Sequence, residues 1–117
     1  MTLLSHHHDE ERPWGSFEQF TLNEPTTVKI LSVSAGKRFS LQKHEHRDEY
    51  WKVIDGSGIA TIGDETRDVR MGDTIEIPRG TMHRLLGGDQ GIRVLEISFG
   101  DFDENDIERF EDDFGRD

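Results

Sequence analysis

From residue 26 onward, apolar and polar residues alternate in short runs: TTVKILSV (26–33), KRFSLQKH (37–44), EYWKVI (49–54), GIATIG (58–63), ETRDVR (65–70), TIEI (74–77), HRLL (83–86) and RVLEISF (93–99). A period of two puts every second side chain on the same face of an extended chain, which marks a half-buried β-strand. The runs are bounded by AGK, DGSG, GDE, MGD, PRG and GGDQG, clusters that favour turns. Short strands closely spaced by glycine turns predict an all-β sandwich or barrel. No helical pattern of any length interrupts them, which excludes a parallel βαβ architecture. GIATIGDETRDVR reads as a hairpin with Gly63 and Asp64 at its turn. In EYWKVI the alternation sends Glu49, Trp51 and Val53 inward and Tyr50 and Ile54 outward. Those outer apolar residues predict a homodimer.

The two ends break the pattern. Residues 1–10, MTLLSHHHDE, read as a flexible N-terminal lead in which His6, His7 and His8 bind metal only adventitiously, leaving 11–117 as the single folded domain. At the other end, in DFDENDIERFEDDFGRD, Ile107, Phe110 and Phe114 recur at helical intervals. This spacing predicts a short amphipathic helix or an ordered arm that packs back onto the barrel or onto a partner.

Composition narrows the function. A chain of 117 residues that is 32% hydrophobic builds one modest core. With no cysteine, neither disulfides nor thiolate chemistry is available. The 25 acidic residues outnumber the 14 basic ones for a net charge of -11, a field that repels nucleic acid and anionic membranes, so neither is expected as a partner. Only 4 of the basic residues are lysine, and an acid-rich, lysine-poor surface fits a protein kept soluble in concentrated salt. No apolar stretch is long enough to span a bilayer, and the first ten residues lack the basic start and apolar core of a signal peptide, so the expected location is the cytoplasm.

Two spaced patterns carry chemistry. The first runs Gly36, five residues, Gln42, one residue, His44, four residues, Glu49, six residues, Gly56. The second runs Gly72, five residues, Pro78, one residue, Gly80, two residues, His83. Gln42 and His44 are two apart on a strand and share a face, Glu49 can return to that face after the bend HRD, and His83 re-enters after the turn at Pro78 and Gly80. His46 would lie on the same face farther along, and a shifted register would pair it with His44 instead. Such groups facing a β-core without a cation leave donors and acceptors hard to satisfy, so one divalent metal ion is expected. A mixed nitrogen and oxygen set suits Zn, Mn, Fe, Co or Ni.

The two patterns resemble the paired signature of the cupins, small metal-binding jelly-roll barrels. Gln42 stands where the first motif usually has histidine, and Gly87 where the second ends in asparagine. The resemblance leaves no place for the shifted register and implies Gln42, His44, Glu49 and His83 as the metal ligands. RPWGSFEQF (12–20), LQKHEHRDEYWKVIDG, IPRGTMHRL and DIERFEDDFGR further resemble, in collinear order over residues 11–117, the type II phosphomannose isomerase domain. That domain elsewhere forms the C-terminal part of a guanylyltransferase. No glycine-rich nucleotide-binding stretch occurs here, so nucleotidyl transfer is not expected.

This resemblance implies a single-domain cupin jelly-roll barrel that interconverts mannose 6-phosphate and fructose 6-phosphate with a metal as Lewis acid. Proton transfer then needs a base, for which His46 comes first and Glu49 second. The sugar phosphate would be held by Arg38, Lys43, Arg47 and Arg84, which cluster around the two motifs. Arg109 and Arg116 match the family's terminal motif and would close over the site. A non-catalytic sugar-binding or regulatory cupin is the alternative, and an Fe(II) dioxygenase-like cupin a more distant one.

Overall fold

The computed structural model describes residues 3–116, which form nine β-strands and no helix. In chain order these are β1 (His8–Arg12), β2 (Gly15–Gln19), β3 (Thr26–Val33), β4 (Leu41–Lys43), β5 (Arg47–Ile62), β6 (Glu65–Arg70), β7 (Thr74–Ile77), β8 (His83–Gly100) and β9 (Glu108–Glu111). β1 and β2 form a separate hairpin; the other seven are joined in one continuous antiparallel ladder. The β5–β6 hairpin turns at Gly63 and Asp64, as the alternation predicts.

The long strands β5 and β8 carry the architecture. Arg47–Gly56 of β5 pairs with the second half of β8, and Gly58–Ile62 pairs with the first half. Between these halves the register shifts, and glycine is obligatory. A Cβ on Gly56, whose φ is 75°, would sit 2.2 Å from the Gly91 carbonyl oxygen, and one on Gly58 would sit 2.1 Å from that of Leu86. The bend brings two layers face to face. One layer is β3, β8, β5 and β7; the other is β6, β5, β8, β4 and β9. Trp51, Val53, Ile75, Ile77, Ile92 and Val94 from the first meet Ala60, Val69 and Leu85 from the second in one core. Each large side chain so buried contributes roughly 1.5–3 kcal/mol. The result is an all-β jelly roll in a single domain, and no described helix is long and apolar enough to cross a membrane.

The structure refines three expectations. The N-terminal lead is not free over its described part: β1 pairs along its whole length with β2, and Leu4 is buried against Tyr50 and Ile97, with Leu3, Phe20, Leu95 and Phe99 around them. Tyr50 is therefore covered by its own chain and no longer calls for a second copy. At the C-terminus the ordered arm forms but the helix does not. Ile107 to Phe114 is too short a segment for a stable helix alone, whereas the open edge of β4 offers backbone partners, and β9 pairs there. Arg84 pins the arm: its Nε donates to the Phe39 carbonyl at 3.0 Å, Nη1 to Glu111 Oε1 at 2.9 Å and Nη2 to the Glu111 carbonyl at 3.2 Å.

Candidate functional site

The pairing of β9 with β4 and of β4 with β8 builds a row across one layer: Arg109 lies opposite Gln42, and Gln42 opposite His83. Residues opposite one another in a ladder point to the same face. Here that face lines a cavity of about 240 Å³ inside the barrel, into which Glu49, Trp51 and Glu96 also project. His44, immediately after β4, completes the inner wall.

Three side chains converge at its base. His83 Nε2 is 3.3 Å and His44 Nε2 3.9 Å from Glu49 Oε1, and the two imidazole rings lie 5.0 Å apart. All three residues are at most 3% exposed. His44 Nδ1 bonds the Asp106 carbonyl at 2.7 Å and His83 Nδ1 the Thr81 carbonyl at 2.9 Å. A carbonyl only accepts, so both rings carry their proton on Nδ1 and turn an Nε2 lone pair toward Glu49. Burial pushes the His44 pKa down, which keeps that ring neutral. Burial alone would raise the Glu49 carboxyl, but protonated His83 and His44 and the Arg47 guanidinium outweigh it and lower it to about 2; with the two rings neutral, Arg47 is the charge that remains to keep it ionised. An ionised oxygen thus faces two lone pairs.

Glu49 Oε1 and His83 Nε2 are buried without a hydrogen-bond partner. Orphaned acceptors at this separation repel one another unless a cation lies among them, so the donor set fits a divalent metal ion. Gln42 stands beside them, its Nε2 3.3 Å from His44 Nε2 and its Oε1 accepting from Ser40 Oγ at 2.6 Å. Turned over, the amide satisfies the Ser40 hydroxyl equally well and presents its oxygen to the cluster.

Arg47 neutralises the cluster from above. It is 6% exposed and donates from Nη2 to His44 Nε2 at 3.1 Å, from Nε to Glu49 Oε2 at 3.3 Å and from Nη1 to the Asp103 carbonyl at 3.2 Å. Its guanidinium also lies 4.4 Å from the Phe102 ring centre. Loading a cation requires it to release the His44 lone pair while its other contacts remain available. Glu96 occupies the adjoining wall, accepting from the Trp51 indole N–H at 3.1 Å. Burial and the Glu49 charge raise its carboxyl to about 7, against the lowering effect of Trp51.

The structure brings Gln42, His44, Glu49, His83 and Arg47 together. It separates the others from them. His46 is exposed in the bend between β4 and β5, only its backbone amide being engaged, so it does not share the cavity face expected for a base. The bend at 45–46 interrupts the strand and with it the period of two that placed His46 beside His44. Arg38 is paired with Asp113 and Lys43 with Glu45, both away from the cavity. Arg84, next to inward His83, points to the opposite face and holds the arm. Lys29, Arg109 and Arg116 supply cavity cations in their place. The alternation of RVLEISF could have revealed Glu96, since Val94, Glu96 and Ser98 are all buried on one face. The Lys29 position follows in the same way from inward Leu31 and Val33.

Comparison with known proteins agrees with this fold. Residues 2–112 match the family model described as mannose-6-phosphate isomerase C-terminal. The xanthan biosynthesis protein XanB of Xanthomonas campestris pv. campestris (strain B100) is 37% identical over 112 residues, covering 94% of this chain and 24% of that protein. The mannose-1-phosphate guanylyltransferase ManC of Salmonella typhimurium is 35% identical over 112 residues, with 94% and 23% covered. The chain thus spans about a quarter of the length of these relatives. Among solved structures, a cupin protein from Bacteroides fragilis superposes with a TM-score of 0.60 at 22% identity, covering 74% of this chain and 72% of that one.

Proposed function

We propose, for a chain that belongs to the mannose-6-phosphate isomerase C-terminal family and folds as a cupin, that it is a metal-dependent aldose–ketose isomerase interconverting mannose 6-phosphate and fructose 6-phosphate. The observation that carries this reading is the pair of orphaned acceptors, Glu49 Oε1 and His83 Nε2, converging with His44 at the base of a barrel cavity. Gln42, His44, Glu49 and His83 would hold the ion. Bound there, a divalent ion would supply Lewis acidity toward the sugar carbonyl and hydroxyl oxygens.

The chain's own residues perform the rest. Isomerisation moves a proton between neighbouring carbons, which requires a base inside the cavity. Glu49 is committed to the histidines and Arg47, and His46 is outside. Glu96 is the remaining buried carboxylate, oriented by Trp51, and takes the proton-transfer role in this reading. The phosphate falls to the cavity cations. Arg109 is foremost, because its Nε is buried without a partner whereas Arg47, Lys29 and Arg116 are already paired with Glu49, Glu104 and Asp112. Trp51 and Phe39 wall the site and exclude water.

The test is a coupled assay of mannose 6-phosphate turnover by the chelator-treated protein reloaded singly with zinc, manganese, iron, cobalt or nickel. Turnover that appears with one of these metals and disappears in His83→Ala supports the proposal. Binding of the sugar phosphate without turnover in every metal overturns it in favour of a sugar-binding cupin.

A further inference from the structure

We propose that Asp106, in the C-terminal arm, is a positioning residue for His44. It fixes which ring nitrogen faces the centre and locks the turn that carries the ring. The proposal rests on the reading of His44 as a metal ligand and deepens it.

Asp106 contacts this turn through three acceptors. Its carbonyl takes the His44 Nδ1 proton at 2.7 Å across 62 positions of sequence. Its carboxylate clamps the two following amides, Oδ1 accepting from Glu45 N–H at 2.9 Å and Oδ2 from His46 N–H at 3.0 Å. Three consecutive residues, His44 to His46, are thus held by one residue of a distant segment. The carboxyl is kept below its ordinary range, because these amides and the charges of His46 and Arg47 outweigh partial burial.

The arm itself is shaped to present this residue. Asp106 N–H donates to the Asp103 carbonyl at 3.0 Å, closing a turn whose Asp103 carbonyl also receives Arg47 Nη1. Directly beyond, Arg109 pairs with Gln42. The bend between β4 and β5 belongs to no strand, so no ladder fixes the His44 ring. The Asp106 contacts take over that task. A metal-bound histidine depends on such a partner for its tautomer and orientation, and loss of the partner typically costs 10–100-fold in metal affinity.

The experiment compares the full-length protein with Asp106→Ala and Asp106→Asn, and with Asp103→Ala, which removes the acceptor for Asn105 N–H in the same arm without touching the His44 turn. Long-range ¹H–¹⁵N spectra in chelator report the His44 tautomer, and calorimetric titration with zinc alone reports affinity. The expected result is an Nδ1–H tautomer in the unaltered protein; Asp106→Ala keeps the main-chain carbonyl but loses the carboxylate clamp that seats the His44 turn against it, giving a tautomer mixture with zinc bound about 10–100-fold more weakly. Asp106→Asn keeps one amide acceptor and falls between them, and Asp103→Ala retains the tautomer. An unchanged tautomer in both Asp106 variants, or an equal loss in Asp103→Ala, overturns the proposal. Failure of the unaltered protein to bind any divalent ion would refute the metal reading, while the tautomer comparison still decides the role of Asp106.

Discussion

Replacing Glu49 with glutamine isolates the charge at the base of the cavity, since the side chain keeps its shape and loses only its ionisation. In chelating buffer the consequence falls on Arg47. That guanidinium is 6% exposed, and its one ion pair among the described residues is with Glu49 Oε2 at 3.3 Å. Removing one partner of a buried pair costs about 3–5 kcal/mol. The lower end applies, because the Asp103 carbonyl and the Phe102 ring still hold the guanidinium and the new amide can donate to the orphaned His83 Nε2. A loss of about 3 kcal/mol, with a urea m-value of about 2 kcal/mol/M, lowers the unfolding midpoint by about 1.5 M. Metal affinity falls in parallel by on the order of 100-fold or more, since the centre loses its single formal negative charge.

Arg47→Met supplies the control. If the pair is mutually compensating, Arg47→Met with Glu49→Gln restores most of the stability lost in Glu49→Gln alone, with a coupling of about 2 kcal/mol. Urea unfolding of the four proteins in chelator measures both quantities. A Glu49→Gln protein within about 0.5 kcal/mol of the parent would refute the reasoning, because a guanidinium this deeply buried cannot lose its counterion at no cost.

Three other changes test separate parts of the structure. Gly56→Ala must place a methyl group 2.2 Å from the Gly91 carbonyl at a φ of 75°, so it should unfold the domain or lower its melting temperature by more than 10 °C, about 2 kcal/mol or more, as read by thermal denaturation. Glu96 takes up a proton more readily folded, with a pKa near 7, than unfolded, with one near 4.5, so its contribution to stability is present at pH 4.5 and lost as pH rises through 7, by at most about 3 kcal/mol. Glu96→Gln should remove that decline between pH 5 and 8 in chelator; the opposite trend from His44, whose depressed pKa favours higher pH, is common to both proteins. Arg109→Met should raise KM for mannose 6-phosphate by about 10–100-fold with a smaller change in kcat, the loss of one charged hydrogen bond to phosphate, and an unchanged KM in the coupled assay would remove Arg109 from the site.

The parts of the fold governed by a local period were legible in the sequence. The inward set Glu49, Trp51 and Val53 lies in the interior as the alternation of EYWKVI requires, and the hairpin at Gly63 and Asp64 forms where its turn residues stand. Glu96 and Arg84 were equally legible, since the same parity puts Glu96 inside with Val94 and Arg84 opposite His83. Neither follows from residue type alone, because an acid suggests a surface and an arginine beside a ligand suggests substrate. What parity cannot reach is a residue outside a strand or one buried by a distant segment. His46 leaves the cavity face because the strand stops before it, and Tyr50 is covered by Leu4 and Phe20, whose approach no pattern around Tyr50 encodes. Gly87 belongs to a third class, where the exchange itself is informative. A Cβ there would lie 2.4 Å from the Ser34 carbonyl oxygen, so the asparagine usual at this motif position has no room.

The net charge of -11 raises the question of how this chain could hold a dianion at all. At physiological ionic strength, exposed charges are largely screened beyond about 8 Å, so the acids at the ends and turns weigh little against groups lining the cavity. There the balance reverses. Lys29, Arg47, Arg109 and Arg116 face Glu49, Glu96 and Glu104, and Glu96, raised to about 7, is protonated for part of the time near neutrality. A divalent ion would add two further positive charges, making the cavity a cationic pocket in an anionic molecule. Substrate capture should therefore weaken only modestly with salt, through the partly exposed Lys29 and Arg116, whereas removal of the ion should weaken it strongly. Sugar-phosphate binding measured with and without chelator at low and high salt checks this, and a salt effect larger than the chelator effect would show that the outer charges, not the cavity, govern binding.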